Sequence, residues 1–312
     1  MRLALAGDTM LGREVALAIS SGKPPVARDV IAVAAEADLF VLNLECCISD
    51  RGERWPDPGK PFFFRAPPVA AELLAGMGVD CVTLANNHAL DYGPEALLDT
   101  FEHLDAAGVP WVGAGVDVSA ARAPRVLAGG VAVLGASDHP ADFAAGADRC
   151  GIAYADLRSG SGWLASAVAV APCDIVLALV HWGPNMTPGP LPYIRRAAHE
   201  LLAAGATLVA GHSAHVFHGV APGVLYDLGD FVDDYAVHQE LRNDLGLLFL
   251  VDLDADGPRA LEAVPLKLDF CHTRLATGAD AAWIRRRFIA ACADLGTTAV
   301  ERDERVVASL RR

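Results

Sequence analysis

IVLALVH (Ile175–His181) is an unbroken aliphatic run that ends in a histidine. A run this short and this apolar, set between Pro172-Cys173-Asp174 and Trp182-Gly183-Pro184, reads as a β-strand buried on both faces. Four further runs have the same form: LALAGD (Leu3–Asp8), FVLNLE (Phe40–Glu45), CVTLANNH (Cys81–His88) and TLVAGH (Thr207–His212), the last followed by His215. Such strands deliver side chains from their ends into one crevice. The pattern therefore gathers Asp8, Glu45, Asn87, His88, His181, His212 and His215 at a single edge. Carboxylate, carboxamide and imidazole together are the ligand set of a divalent-metal site.

The 312 residues, 53% of them hydrophobic, suffice for a large core and for one or two domains. The net charge of -14 is spread along the chain, as on an acidic surface, and no basic stripe of the kind that binds nucleic acid is present. Arg285-Arg286-Arg287 reads as the solvated face of a helix. The seven cysteines (46, 47, 81, 150, 173, 271 and 292) form no CxxC pair, and an odd count without a spacing pattern argues for a reducing compartment. The chain enters a strand within a few residues of Met1, which leaves no room for a signal peptide. No apolar stretch reaches membrane-spanning length without a polar break. The expectation is a cytoplasmic protein with no membrane anchor; nothing in the sequence fixes its oligomeric state.

Helix-like segments alternate with the strands. Glu14–Ser20, Val26–Ala37, Val69–Gly76, Pro94–Ala107, Trp163–Ala171, Leu191–Ala204 and Ala281–Leu295 read as helices, with Pro94 suited to a first turn and Gly205 to a C-cap. Val109–Val112, Val131–Gly135, Val224–Leu228, Leu247–Asp252 and Ala263–Phe270 read as further strands. Asp50–Pro68 carries five prolines around Trp55 and Phe62-Phe63-Phe64. It is too proline-rich for a regular element and is either a lid over the site or a loop pinned by its own aromatics. The organisation expected is an α/β domain over residues 1–252, with residues 253–312 as a strand-and-helix extension packed on it.

Within the metal constellation, Gly7 lets the backbone turn and exposes Asp8 at the strand tip, although Asp is also a common cap. Glu45 abuts a buried strand and needs a counter-charge. In Asn86-Asn87-His88, Asn87 offers a carbonyl oxygen to a metal, and His88 can donate a proton or stabilise developing negative charge. Asp91, three residues on, can orient the His88 imidazole. His181, His212 and His215 suit Zn, Mn or Fe better than Mg or Ca. His218 is read as a surface residue.

GDTMLGR, NLECCIS, FRAPP, LANNHALDYG, VHWGPN, GHSAHVFHG and YDLGDFV, in this order from Leu3 to Val232, resemble the motifs of CapA-like proteins. That family is named for poly-γ-glutamate capsule synthesis and belongs to the calcineurin-like metallophosphatase superfamily. The resemblance implies a four-layer α/β/β/α sandwich with one or two divalent metal ions at the strand ends. It further implies Asp8, Glu45, Asn87, His181, His212 and His215 as ligands, with His88 as the acid/base residue. Three positions depart from the family's pattern. Asp8-Thr9-Met10 stands where Asp-x-His is usual, His212-Ser213-Ala214-His215 where His-His-Pro-His is usual, and Leu228-Gly229-Asp230 where Leu-Gly-Asn is usual.

Two reactions fit such a site on a peptide or small anionic substrate. In hydrolysis, metal-activated water attacks a phosphoryl or acyl group and His88 protonates the leaving group. In epimerisation, as implied by similarity to the family's lasso-peptide epimerase branch, two residues on opposite faces remove and return a Cα proton. Asp8 and His272 are the candidates for that pair, the alternative for His272 being an exposed residue at a strand end. A site that binds a partner without catalysis is the third reading, and the near-complete ligand set argues against it.

Overall fold

The computed structural model describes residues 1–254 and 256–311. Two sheets form the centre. The first has the strand order Ala299–Arg302, Arg305–Ser309, Gly257–Asp269, Leu245–Asp254, Arg2–Thr9, Leu39–Leu44, Cys81–Thr83, Trp111–Val112. Asp230–Val232 pairs beside Arg2–Thr9, and His272–Leu275 pairs with Gly257–Asp269. The second sheet runs Val220–Ala221, Val224–Leu225, Leu208–His212, Ile175–His181, Val131–Ser137, Arg125–Leu127. In both sheets the strands that carry the predicted ligands run parallel to one another.

The alternation of side chains along each strand sorts the core into three layers. Leu3, Leu5, Leu39 and Val41 face Val131, Val133, Leu177 and Leu179 of the second sheet. Ala4, Ala6, Phe40 and Leu42 face the other way, onto Val15, Val30, Leu74 and Leu97 of the helices that cover the first sheet. Ala178, Val180 and Val209 pack on Leu164, Ile194 and Leu201 of Gly162–Ala169 and Pro192–Ala203. The architecture is the expected α/β/β/α sandwich. Because both sheets are covered on both faces, their central strands are continuous apolar runs, and polar residues there are confined to strand ends.

Beyond residue 252 the chain adds strands to the first sheet. The hairpin of Leu245–Asp254 and Gly257–Asp269 joins Arg2–Thr9 on one side and Arg305–Ser309 on the other. The last two strands, Ala299–Arg302 and Arg305–Ser309, are only four and five residues long and were not foreseen from the sequence. The final helix, Gly278–Ala293, buries Ile284, Phe288 and Cys292 in the layer between the sheets. Its arginine cluster is not simply solvated. Arg285 pairs with Glu301 at 2.9 Å, and Arg287 lies over the Trp283 ring at 5.3 Å, leaving Arg286 exposed. All seven cysteines are free.

Candidate metal centre

Strand register assembles the site. Asp8 stands opposite Asn43 on one neighbour and opposite Asp230 on the other, while in the second sheet His181 stands opposite His212. Just past the end of Leu208–His212, Ser213 N–H donates across to Asp8 Oδ2 at 3.3 Å. Glycine precedes the ligand-type residue on both sides, for reasons of space. A Cβ on Gly7 would lie 1.8 Å from the Gly229 carbonyl oxygen, and one on Gly211 would lie 2.2 Å from the Tyr226 oxygen. Gly7 is therefore needed for close approach inside a strand and makes no turn, which corrects the sequence reading.

Asp8, Glu45, His181, His212 and His215 come together, all buried. His181 Nδ1 lies 2.7 Å from His212 Nδ1. Asp8 Oδ1 is 3.7 Å from His212 Nδ1, and Asp8 Oδ2 is 3.4 Å from His215 Nδ1. One ligand atom each from Asp8, His181 and His212 lie within 4.8 Å of one another. Both oxygens of Glu45, Oδ1 of Asn87 and Nε2 of His212 are buried without any hydrogen-bond partner. Buried polar atoms are rarely left so, and a buried unpaired carboxylate is costly.

The electrostatics point the same way. Burial, with repulsion from Asp8, holds Glu45 well above the usual carboxylate range. Burial and Asp8 push Asp227 up to about 8. Burial, reinforced by His212, holds His181 well below the ordinary imidazole value, and burial brings His212 down to about 4. For His215, burial alone lowers the pKa, but Glu45 and Asp8 outweigh it and raise the value overall. Unpaired acids beside His181 and His212, which burial holds neutral, are what a divalent cation satisfies at once, so the donor set fits one.

His88 sits at the rim of this cluster. Its Nδ1 is 2.6 Å from Asp91 Oδ2, its Nε2 is 3.9 Å from Glu45 Oε1, and burial lowers its pKa to about 4 against the pull of Asp91. Asp91 is itself fixed by the Phe64 N–H at 2.6 Å and by Lys60 Nζ at 3.0 Å. The geometry puts the Nδ1 proton toward Asp91 and leaves Nε2 facing the cluster. The strand before this motif stops at Thr83, short of the full Cys81–His88 run. Asn86 Oδ1 instead accepts the His88 N–H at 3.0 Å, and Asn86 Nδ2 donates to Asn43 Oδ1 at 2.9 Å. Asn43 Nδ2 continues the chain to Asp8 Oδ1 at 2.7 Å.

The proline-rich segment forms a wall of the site. Lys60 also donates to the Asn87 carbonyl at 2.8 Å, and Phe64 stacks on His88 with ring centroids 3.9 Å apart. Two cavities flank the cluster. One, of about 310 Å³, is lined by Arg13, Phe62, Phe64, His88, His215 and Tyr235. The other, of about 350 Å³, is lined by Asn87, Asp138, His139, Arg158 and Tyr193 among others.

His272 is not part of this arrangement, which corrects its expected place. Its Nδ1 engages the Pro24 carbonyl at 2.9 Å, and it lines a separate cavity with Glu14, Leu17, Lys23 and Phe270. The cause is pairing of His272 with Asp269 in a hairpin turn, which points it to the far side of Arg13–Ser20. His218, read as a surface residue, is buried, with Nε2 donating to the Thr187 carbonyl at 2.8 Å. Sequence reasoning missed the parts played by Asn43, Asn86, Lys60 and Asp227. Asp227 accepts the N–H groups of Ala214 and Gly229, each at 2.9 Å, and so shapes the His212–His215 turn. The signal for it was present in YDLGDFV, two acids among buried apolar residues.

Fold and site thus define an α/β/β/α sandwich with a buried carboxylate–histidine cluster at its strand ends. Residues 2–235 match the family described as bacterial capsule synthesis protein PGA_cap, and the chain belongs to that family. A probable polyglutamine synthesis accessory protein of Mycobacterium tuberculosis is 34% identical over 276 residues, 80% of this chain and 70% of that one. The capsule biosynthesis protein CapA of Bacillus anthracis is 28% identical, over 86% of this chain and 67% of its own length. Among solved structures, the NAD nucleotidase of Haemophilus influenzae aligns with a TM-score of 0.43 and 11% identity, over 89% of this chain and 54% of that one. No helix among the described residues is long and apolar enough to cross a membrane.

Proposed function

We propose that the protein is a metal-dependent hydrolase-like enzyme acting on an anionic substrate, either a phosphate ester or a γ-glutamyl chain of the kind the relatives' names suggest. The observation that carries this reading is the meeting of Asp8 with His181, His212 and His215, next to a buried Glu45 whose two oxygens have no hydrogen-bond partner. Asp8, Glu45, Asn87, His181, His212 and His215 would hold the divalent ions, which when bound supply Lewis acidity and lower the pKa of water. His88, aligned by Asp91, holds a proton at Nε2 or accepts one there, at the edge of the cluster. Arg13 and Arg158, one in each flanking cavity, give an anionic substrate a cationic partner on either side. Phe62, Phe64 and Tyr235 give the first cavity an aromatic lining.

The epimerase reading lacks its second proton-transfer group, because His272 lies in a different cavity. The test is a screen of Mn-loaded protein against phosphate esters and γ-glutamyl oligomers, with solvent deuterium incorporation measured in parallel. Release of phosphate or glutamate is expected. His88→Ala should lower kcat by about 10²–10⁴-fold, the range for loss of a general acid, with metal content unchanged. Deuterium entering a Cα without any bond cleavage would overturn hydrolysis.

A further inference from the structure

We propose that Asp230 is a cation ligand, completing with Asp8 and His215 a second position beside the one formed by Asp8, His181 and His212. The inference rests on the reading of this cluster as a cation site. Asp230 lies in register with Asp8 on the adjacent parallel strand. Its Oδ1 is 2.8 Å from His215 Nδ1, which is also 3.4 Å from Asp8 Oδ2. The ligand atoms of Asp8, His215 and Asp230 lie within 4.8 Å of one another. Asp230 Oδ2 is buried and has no hydrogen-bond partner.

The strand Arg2–Thr9 offers no competing donor. Two residues past Asp8 stands Met10, fully buried in the apolar layer under the helices, with its sulfur accepting the Gly12 N–H at 3.0 Å. Asp230 therefore supplies from the neighbouring strand a donor that the first strand lacks. The backbone at His215 supports this. With φ at 60° it occupies the left-handed region, which is uncommon for a residue other than glycine and is held only where the surroundings enforce it. That conformation aims the imidazole at the two carboxylates. Two carboxylates, Asp8 and Asp230, meet one imidazole, and among the described residues no lysine or arginine is bonded to either. The rival arrangement is a buried carboxyl pair in which Asp230 and Asp233 share a proton and no second cation binds.

The experiment is a Mn²⁺ titration of the chelator-stripped protein by calorimetry, with electron paramagnetic resonance of the loaded sample. The wild type should take up two equivalents and give the spectrum of a spin-coupled pair. Asp230→Asn should retain one equivalent and an isolated-ion spectrum. The lost equivalent should be weakened more than about 100-fold, beyond the 10–100-fold typical of outer partners. Asp233→Asn should keep both equivalents. Should Asp230→Asn fail to fold, Asp230→Ser reports the same stoichiometry. Full uptake and a coupled spectrum in the Asp230 variants would overturn the assignment while leaving the cation site intact, as would a single wild-type equivalent that they leave unchanged. No uptake by the wild type would overturn the cation site itself.

Discussion

The two sheets bring opposite chemistry to one seam. The first contributes acids and amides, with Asp8, Glu45 and Asn87 on or just beyond its parallel strands, and the second contributes imidazoles, with His181, His212 and His215. On the first side burial works against charge, so Glu45 is held well above its usual range. On the second side burial favours the neutral ring, so His212 falls to about 4. A cation between them compensates the first side and meets the neutral form that His181 and His212 already have, while at His215 it replaces the proton that Glu45 and Asp8 favour. The sandwich thus keeps its anionic and neutral donors on separate sheets, and each half can be perturbed alone.

The largest effects should come from removing one donor on each side. Asp8→Ala and His181→Ala should each lower turnover at least about 10³-fold, together with metal content, since ligand removal exceeds the 10–100-fold of outer partners. The metal-free chains should then diverge. Glu45→Gln removes a buried acid whose ionised form folding disfavours and should raise apo stability by about 1–3 kcal/mol. His212→Ala leaves a cavity where a neutral ring packed, and should lower stability by about 2–4 kcal/mol. Denaturant melts of the stripped proteins check this, and equal signs for the two variants would break the division between the sheets.

Next come the glycines that let each side close. Gly7→Ala and Gly211→Ala both drive a methyl into a backbone oxygen, at 1.8 Å and 2.2 Å. Each should cost about 3 kcal/mol or more, since neither strand can shift without moving its partner. Thermal denaturation of the two variants reads the effect. A tolerated Gly211→Ala would mean that the second sheet is the looser of the two.

Much of this was legible beforehand because doubly covered strands leave few places for a polar side chain. Asp8, Glu45, His181 and His212 stood out as interruptions of aliphatic runs, and the structure brings them together. Asn43 was hidden inside FVLNLE, since one amide within an apolar run carries no sign of what it bonds. Lys60 acts through a loop whose path no periodicity encodes. His272 stayed open between a proton-transfer group and an exposed strand-end residue, because a strand-end position fixes a residue's height along the sheet but not the face it turns to, and the structure favours the second. The strands Ala299–Arg302 and Arg305–Ser309 escaped notice because they are short, and the first, at the edge of the sheet, exposes every residue but Ala299.

A smaller effect should appear on acidification. Burial lowers His218 to about 4 from an ordinary 6.5, and its Nδ1 has no partner. The unfolded chain therefore binds the extra proton first. Stability is intact above about pH 6.5 and falls as pH drops toward 4, by on the order of 3 kcal/mol. His218→Gln keeps a donor for the Thr187 carbonyl and should shift the acid-unfolding midpoint of the stripped protein to lower pH. An unchanged midpoint would assign the acid sensitivity to the imidazoles of the seam.

The smallest effect, and the most diagnostic for the proline-rich wall, should come from Lys60→Met. The Lys60 ammonium ties the Asn87 carbonyl to Asp91 Oδ1, and Asp91 in turn orients His88. Methionine keeps the bulk of the side chain and removes the charge, the hydrogen bond to the Asn87 carbonyl and the ion pair with Asp91. Asp91 retains the Phe64 N–H, so the His88 contact should loosen and not be lost. A fall of about 10-fold in kcat is expected, at the low end for a partner one step removed, with Mn²⁺ content unchanged. Lys60 is a positioning residue on this account. Combining Lys60→Met with His88→Ala should therefore add little to the loss from His88→Ala alone. Full additivity would mean that the wall acts on the substrate directly and not through the first sheet's acid/base residue.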